Sequence, residues 1–458
     1  MTKFGVGQAI KRVEDQALVT GGGQYTDDVN IEGQAHAFIL RSPQAHARIL
    51  SIDTSAAAAA PGVLTVLTGT DVEADGLGGM PCNVAMKSRD GSDRADTPHP
   101  ILARDKVRYG GEPVALVVAE TLHQARDAAE LIAVEYEELE PSVDTFGATE
   151  EGAALVWDHI PANTAFDWEK GDQSAVDEAL GRAHHVTKLR LVNNRVVVNA
   201  MEPRAALADY DPATDKSTLY TPTQGPHVIY GQIADAILGI GKEKLRIVTG
   251  HVGGGFGMKV FLHPEQPLIV WASRKLKRAV KWTADRSEGF VSDLQGRDHV
   301  SFAELALAED GAFLGLKVTT YAALGAYLSN FAPYVVTGGN DMLVGLYDQP
   351  AIYINVKGVV TNTVPVDAYR GAGRPEAAYL IERLVDKAAR EMGMTPDAIR
   401  RRNFIKPEQM PYATCLGDTY DSGEFEAVMD KAMANADWAG FEARRADSAR
   451  HGKLRGIG

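Results

Sequence analysis

The chain has 458 residues, 45% of them hydrophobic and 24% charged, with a formal net charge of −14. That length supports two or three domains with large apolar cores. A chain this acidic is a poor match for a phosphate backbone, which excludes nucleic acid as the main partner. No stretch approaches the roughly 18 consecutive apolar residues of a membrane helix, and the first residues lack the basic-then-apolar pattern of a secretory leader. A cytoplasmic protein without membrane contact is the expectation. Cys82 and Cys415 are the two cysteines. They give no disulfide framework, no zinc ligand set and no run able to hold an iron–sulfur cluster, so electrons from any redox chemistry would leave through another chain. The basic strip Arg274, Lys275, Lys277 and Arg278 reads as a solvated face.

In chain order, residues 36–40 and 62–67 read as strands around a short helix at 54–60. Residues 73–99, with Gly76, Gly78, Gly79, Pro81, Gly91 and Pro98, read as a long loop. The apolar run 113–118 has strand length. Thr121 then caps a helix with Ala125, Ala128, Ala129 and Ile132 on its apolar side, and 133–139 alternates in the strand period. Two strand–helix–strand units imply an α/β domain over 1–145, and Pro141, Gly147, Gly152 and Pro161 mark a boundary at 141–165. The remainder, 146–458, is mixed, which makes the fold class α/β in the broad, mixed α+β sense.

Ile229, Ile233 and Ile237 have helical spacing over 226–238, and 244–248 suggests a strand. A helix follows Pro264 and carries Leu268, Ile269 and Trp271. Asp310-Gly311 joins 298–307 and 312–321 as a hairpin. Pro375 and Gly393 bracket an amphipathic helix lined by Leu380, Ile381, Leu384, Val385, Ala388 and Met392. Ser422 is expected to cap a last helix with Phe425, Val428, Met429 and Met433 inward.

Three segments could carry chemistry. Gly250-His251-Val252-Gly253-Gly254-Gly255-Phe256-Gly257-Met258-Lys259 lies between an expected strand and an expected helix. Its glycines let the backbone approach a ligand and expose N–H groups to it. It fits neither the P-loop nor the dinucleotide fingerprint. Asp367-Ala368-Tyr369-Arg370-Gly371-Ala372-Gly373-Arg374-Pro375-Glu376 sets two arginines at a helix N-terminus. They suit an oxyanion if Asp367 and Glu376 do not neutralise them. Thr221-Pro222-Thr223-Gln224 could aim the Gln224 amide at a ligand. Glu202, between apolar neighbours, is read as a buried carboxylate paired with Arg204 or Arg195.

Together these segments resemble the molybdopterin-binding large subunit of the molybdenum hydroxylases, the xanthine dehydrogenase/aldehyde oxidase type. Tyr25-Thr26-Asp27-Asp28, the run from Arg41 to Ile49, Tyr109-Gly110-Gly111-Glu112-Pro113-Val114-Ala115, Met201-Glu202-Pro203-Arg204 and the run from Trp282 to Glu288 agree, so the resemblance spans nearly the whole chain. It implies a hammerhead domain over 1–145 and the first of two molybdopterin-binding domains over 146–458, with the second expected beyond Gly458. The implied cofactor is molybdenum–molybdopterin in its cytosine dinucleotide form. Its metal is held by the pterin dithiolene and by no side chain.

By the same resemblance, Gln224, Phe256 and Arg370 are the catalytic-site residues. Gln224 hydrogen-bonds near the metal's oxo group, Phe256 lies beside the metal, and Arg370 lines the substrate pocket. Gln224, Gly253, Gly254, Gly255, Phe256, Gly257, Arg370, Gly371 and Ala372 form the cofactor cradle. The implied reaction hydroxylates an aldehyde or N-heteroaromatic carbon, with water as the oxygen source. Electrons would leave through iron–sulfur and FAD subunits, with a dimer of heterotrimers as one implied assembly. The family's general-base glutamate belongs to the second domain. This chain alone is therefore expected to be inactive, whether as a truncated chain or as a half-subunit completed by another chain. Gly371 stands where the copper-type carbon monoxide dehydrogenases carry cysteine, and Val260 where purine-binding members carry glutamate. Both point away from those substrates.

Overall fold

The structure is a computed structural model that describes Gly5 and residues 7–458. Its largest sheet has seven strands in the order Leu245–Val248, Lys216–Tyr220, Ala205–Asp211, Val280–Thr283, Ala35–Arg41, Pro113–Ala119 and Val63–Thr68. The strand Pro113–Ala119 is buried along all seven residues. It serves two cores at once because a strand alternates its faces. Ala115, Val117 and Ala119 pack with Ala125, Ala128 and Ala129 of the helix Leu122–Ala129. Leu116 and Val118 join Leu268, Ile269 and Trp271 of the helix Glu265–Leu276 in a different cluster. The Thr121 side chain caps the first of these helices by accepting from the Gln124 N–H, as its place before the alanine stripe implies.

The expected strand–helix–strand unit does not close. Ala133–Glu138 leaves the large sheet and pairs antiparallel with Ala47–Asp53, which with Lys106–Val107 completes a three-stranded sheet. Ala47–Asp53 was not anticipated as a strand. Glu135, Glu137 and Glu138 account for the departure. A sheet covered on both faces would bury these carboxylates without partners, whereas here all three are exposed. Nor does the large sheet stop at the expected boundary. Ala35 pairs in parallel with Val280, so strands from before residue 145 and after it share one ladder.

The second sheet has five strands in the order Thr164–Gly171, Ile352–Val360, Phe313–Gly325, His299–Leu307 and His185–Asn193. The hairpin expected at Asp310-Gly311 forms. The helix Arg374–Glu391 packs on this sheet, with Leu380, Ile381, Leu384, Val385 and Ala388 buried. The 226–238 helix divides into an α-helix, Pro226–Gly231, and a π-helical stretch, Gln232–Ile237, and still buries Ile229, Ile233 and Ile237. The 73–99 segment is ordered by bridges from Met80 to His99 and from Lys87 to Asp93, and by Asn330, whose side chain donates to the Pro81 carbonyl at 2.5 Å.

Ser422 does not cap the last expected helix. That helix is Phe425–Asn435, its N-cap position is Glu424, and the Ser422 hydroxyl turns to Asp421. Phe425 and Met429, one turn apart, rest on the core, whereas Val428 is 67% exposed. Among the described residues no helix is long and apolar enough to cross a membrane.

Candidate functional site

Two neighbouring parallel strands, Lys216–Tyr220 and Leu245–Val248, end side by side. The Thr-x-Thr-Gln segment and the glycine-rich segment leave from these two carboxyl ends. Such adjacent strand ends are where open α/β sheets commonly place ligands. Thr221 N–H donates to the Val248 carbonyl at 3.1 Å, and Thr223 N–H to the Thr249 hydroxyl at 3.2 Å, which keeps the two loops together as they leave.

Further out, Gln224 Oε1 accepts from the Gly257 N–H at 2.8 Å. Gly253 N–H donates to Glu202 Oε2 at 2.8 Å, and Glu202 N–H returns to the Gly253 carbonyl at 3.0 Å. The third segment joins through Arg370, whose N–H donates to the Phe256 carbonyl at 2.8 Å. Gly257, at φ +99°, lies so near this segment that a Cβ would sit 2.5 Å from the Ala368 carbonyl oxygen. Phe256 itself adopts φ +52° and leaves its side chain 40% exposed. Gln224, residues 253–257 and the Arg370 turn therefore form one continuous surface. Gly371 lies on it at φ +99°, and Ala372 closes the turn by donating its N–H to the Tyr369 carbonyl at 2.8 Å.

The acids near the arginines are engaged elsewhere. Asp367 is fully buried and accepts from the Ser329 hydroxyl at 2.5 Å, Phe331 N–H at 3.0 Å and Ala368 N–H at 2.7 Å. Burial pushes its carboxyl up to about 6, against the pull of those hydrogen bonds. Glu376 pairs with Arg297 at 3.1 Å, and Arg297 also donates to the carbonyls of Tyr369 and Arg370, each at 3.0 Å. Arg374 donates to the Ala372 carbonyl. Among the described residues the exposed Arg370 guanidinium has no acidic partner.

Glu202 pairs with neither Arg204 nor Arg195, contrary to expectation. Its partner is Lys259, at 3.0 Å. Arg204 is taken by Glu265 and Asp293, and Arg195 by Asp298 at 2.8 Å. Lys259 and Arg297, which hold the loops from behind, were not read as site residues. A lysine in an otherwise apolar run, Met258 to Leu262, was the available signal for the first.

The surface can be tested for fit to a large anionic cofactor. Among the described residues the N–H groups of Gly254, Gly255, Phe256 and Gly371 donate to no protein acceptor. A Cβ added at Gly255 would overlap the Gln224 amide. Free N–H groups, glycine relief and an unpaired guanidinium together suit a phosphate-bearing pterin.

Comparison with known proteins agrees with this geometry. Residues 20–140 match the model of the aldehyde oxidase and xanthine dehydrogenase a/b hammerhead domain, and residues 156–404 match that of the molybdopterin cofactor-binding domain. The nicotine 6-hydroxylase large subunit of Paenarthrobacter nicotinovorans is 34% identical over 100% of this chain and 55% of its own length. The carbon monoxide dehydrogenase large chain of Hydrogenophaga pseudoflava is 35% identical over 94% of this chain and 54% of its own. Among solved structures, quinoline 2-oxidoreductase from Pseudomonas putida 86 superposes with a TM-score of 0.89 at 34% identity, covering 97% of this chain and 56% of that one. The chain belongs to the family of molybdopterin-binding large subunits of the molybdenum hydroxylases. It spans about half the length of these two curated relatives.

Proposed function

We propose that this chain supplies the hammerhead part, residues 1–145, and the first molybdopterin-binding part, residues 146–458, of a molybdenum hydroxylase acting on an N-heteroaromatic or aldehyde carbon. The observation that carries this reading is the meeting of Gln224, Gly257, Phe256 and Arg370 from three separate segments, at 2.8 Å contacts.

The cofactor, when bound, supplies the oxygen-transfer chemistry and takes up two electrons. The residues of this chain would do the rest of the work attributed to this side of the site. Gln224 commits its carbonyl oxygen to Gly257, which leaves its NH2 to donate to an oxygen in the site. The N–H groups of Gly254, Gly255 and Phe256 would hold anionic oxygens of the pterin's phosphate arm, in the cytosine dinucleotide form. Arg370 would orient a ring nitrogen or carbonyl oxygen of the substrate through its planar N–H fork, and the exposed Phe256 ring offers a flat face to a flat substrate. Gly371 supports the substrate class. At φ +99° any Cβ would strike the Pro375 ring, so the cysteine of the copper-type enzymes does not suit this backbone.

Iron–sulfur and FAD subunits would take the electrons in a cytoplasmic complex, with a dimer of heterotrimers as the assembly. A second molybdopterin domain, on the same or another chain, would bring the general-base glutamate. Support for partners comes from relatives named as a large subunit and as the gamma subunit of a dehydrogenase complex. The test is to assemble the chain with its second domain and partner subunits, measure molybdenum and pterin content, and assay a panel of quinoline-like, pyridine-like and aldehyde compounds. Near-stoichiometric molybdenum with turnover of one of these classes supports the proposal. A complete complex that takes up no molybdenum overturns it.

A further inference from the structure

Lys259, at the end of the glycine-rich segment, ties the Thr223-Gln224 segment and Glu202 to it through its main chain and its side chain at once. Its carbonyl accepts from the Gln224 N–H at 3.0 Å and from the Thr223 hydroxyl at 2.8 Å. Its ammonium, with a side chain 0% exposed, donates to the Glu202 carbonyl at 2.7 Å and to Glu202 Oε2 at 3.0 Å. That same Oε2 receives the Gly253 N–H at 2.8 Å. One residue thus sets the position of Gln224 on one side and, through Glu202, of Gly253 on the other. The Gly257 N–H bond to Gln224 then closes the ring.

We propose that Lys259 and Glu202 are a positioning pair for the molybdopterin cradle, fixing the spacing between the Gly253 backbone and the Gln224 amide. The inference rests on the cofactor reading above.

A simple stabilising role does not account for the pair. Taking an ammonium and a carboxylate out of water costs several kcal/mol per ion, and well-packed apolar residues often serve stability as well or better. Burial pulls the Lys259 ammonium down from its ordinary range even with Glu202 beside it. Glu202 Oε1 is buried without a hydrogen-bond donor, a second cost. The pair is electrically neutral, so it adds little field to the cradle. What it supplies is geometry, because Oε2 is shared between a fixed ammonium and the first N–H of the glycine run. Supporting groups of this kind, one layer behind a cofactor, typically alter affinity by roughly 10–100-fold when removed.

The experiment uses the assembled enzyme complex carrying Lys259→Met, Glu202→Gln, or both. Three quantities are read: molybdenum and pterin content, the separate changes in kcat and KM, and amide hydrogen exchange over residues 250–258. Expected for Lys259→Met are faster exchange of that peptide in the cofactor-free protein, by about tenfold or more, and a loss of cofactor affinity of about tenfold or more, with global unfolding still cooperative. Enzyme that does load should lose kcat more than KM. Glu202→Gln keeps an oxygen for the Gly253 N–H and should fall between wild type and Lys259→Met. The double variant should be no worse than Lys259→Met, since both changes break the same link.

Unchanged exchange over 250–258 and unchanged loading in a folded Lys259→Met or double variant would overturn the proposal. So would unfolding of all three variants, which would assign the pair to stability alone. If wild-type complex binds no molybdenum while Lys259→Met still loosens 250–258, the cofactor reading fails and the positioning geometry stands.

Discussion

Arg41 and Glu265 meet at 2.6 Å with their side chains 9% and 1% exposed, one from the end of the strand Ala35–Arg41 and the other from the start of the helix Glu265–Leu276. Glu288 reaches Arg41 at 2.7 Å, and Arg204 closes on Glu265 from the far side. Burial alone would raise the Glu265 carboxyl, yet Arg204 and Arg41 together hold it well below the usual carboxylate range. Replacing Arg41 with methionine leaves two carboxylates facing each other out of water. We expect a loss of about 3–5 kcal/mol in stability, measured by urea unfolding at constant pH. Arg41→Lys should recover only part of it, because one ammonium cannot span both acids and also reach the Gly111 carbonyl, which Arg41 contacts at 3.1 Å.

Arg370→Ala separates substrate handling from cofactor binding. The Arg370 main chain, which holds Phe256, is unchanged by the substitution, and its side chain is exposed. Turnover of the assembled enzyme should fall by about 100-fold, while molybdenum content stays near wild type. Unchanged kcat/KM would remove Arg370 from the substrate pocket.

Gly255 and Gly257 should respond differently to added side chains. A Cβ at Gly255 meets the end of the Gln224 side chain, which can swing away. Gly255→Val should therefore leave stability nearly intact and lower cofactor occupancy. At Gly257 the obstacle is the Ala368 backbone, 2.5 Å away, and φ is +99°. Gly257→Ala should cost about 1–3 kcal/mol as well as occupancy. Thermal unfolding alongside metal analysis distinguishes the two, and full occupancy in Gly255→Val would count against the cradle.

Glu112 gives the fold a pH dependence. It is buried, takes the Tyr327 hydroxyl at 2.5 Å and the Arg108 N–H at 2.6 Å, and burial pushes it up to about 7 despite those hydrogen bonds. A carboxyl whose folded value is raised contributes stability that is fully present below its ordinary value near 4.5. That contribution is lost as pH rises through 7. The loss over this window should be about 3 kcal/mol. Asp367, at about 6, acts in the same direction. Unfolding titrations of Glu112→Gln between pH 4.5 and 7.5 should show a flatter profile than wild type, and identical profiles would exclude Glu112 as the source.

Much of this architecture is written locally. The apolar run 113–118, the alanine stripe after Thr121 and the Asp310-Gly311 turn each declare their element, because the interactions that decide them lie within a few residues. The glycine-rich loop is legible as a place where backbone can run close to its neighbours, as Gly257 does against Ala368. Partner choice was not. Ala133–Glu138 has a strand pattern, but its three glutamates, rather than its period, determine which sheet it joins. Glu202 pairs with Lys259 instead of Arg204 because Glu265 and Asp293, distant in sequence, claim the arginine first. Val428 is apolar at a helical position and still faces outward, since Phe425 and Met429 already define the packed side.

The parallel pairing of Ala35 with Val280 has a consequence for cutting the chain. A cut between residues 141 and 165 would leave two pieces that meet at this ladder, each with an open strand edge for the other to cover.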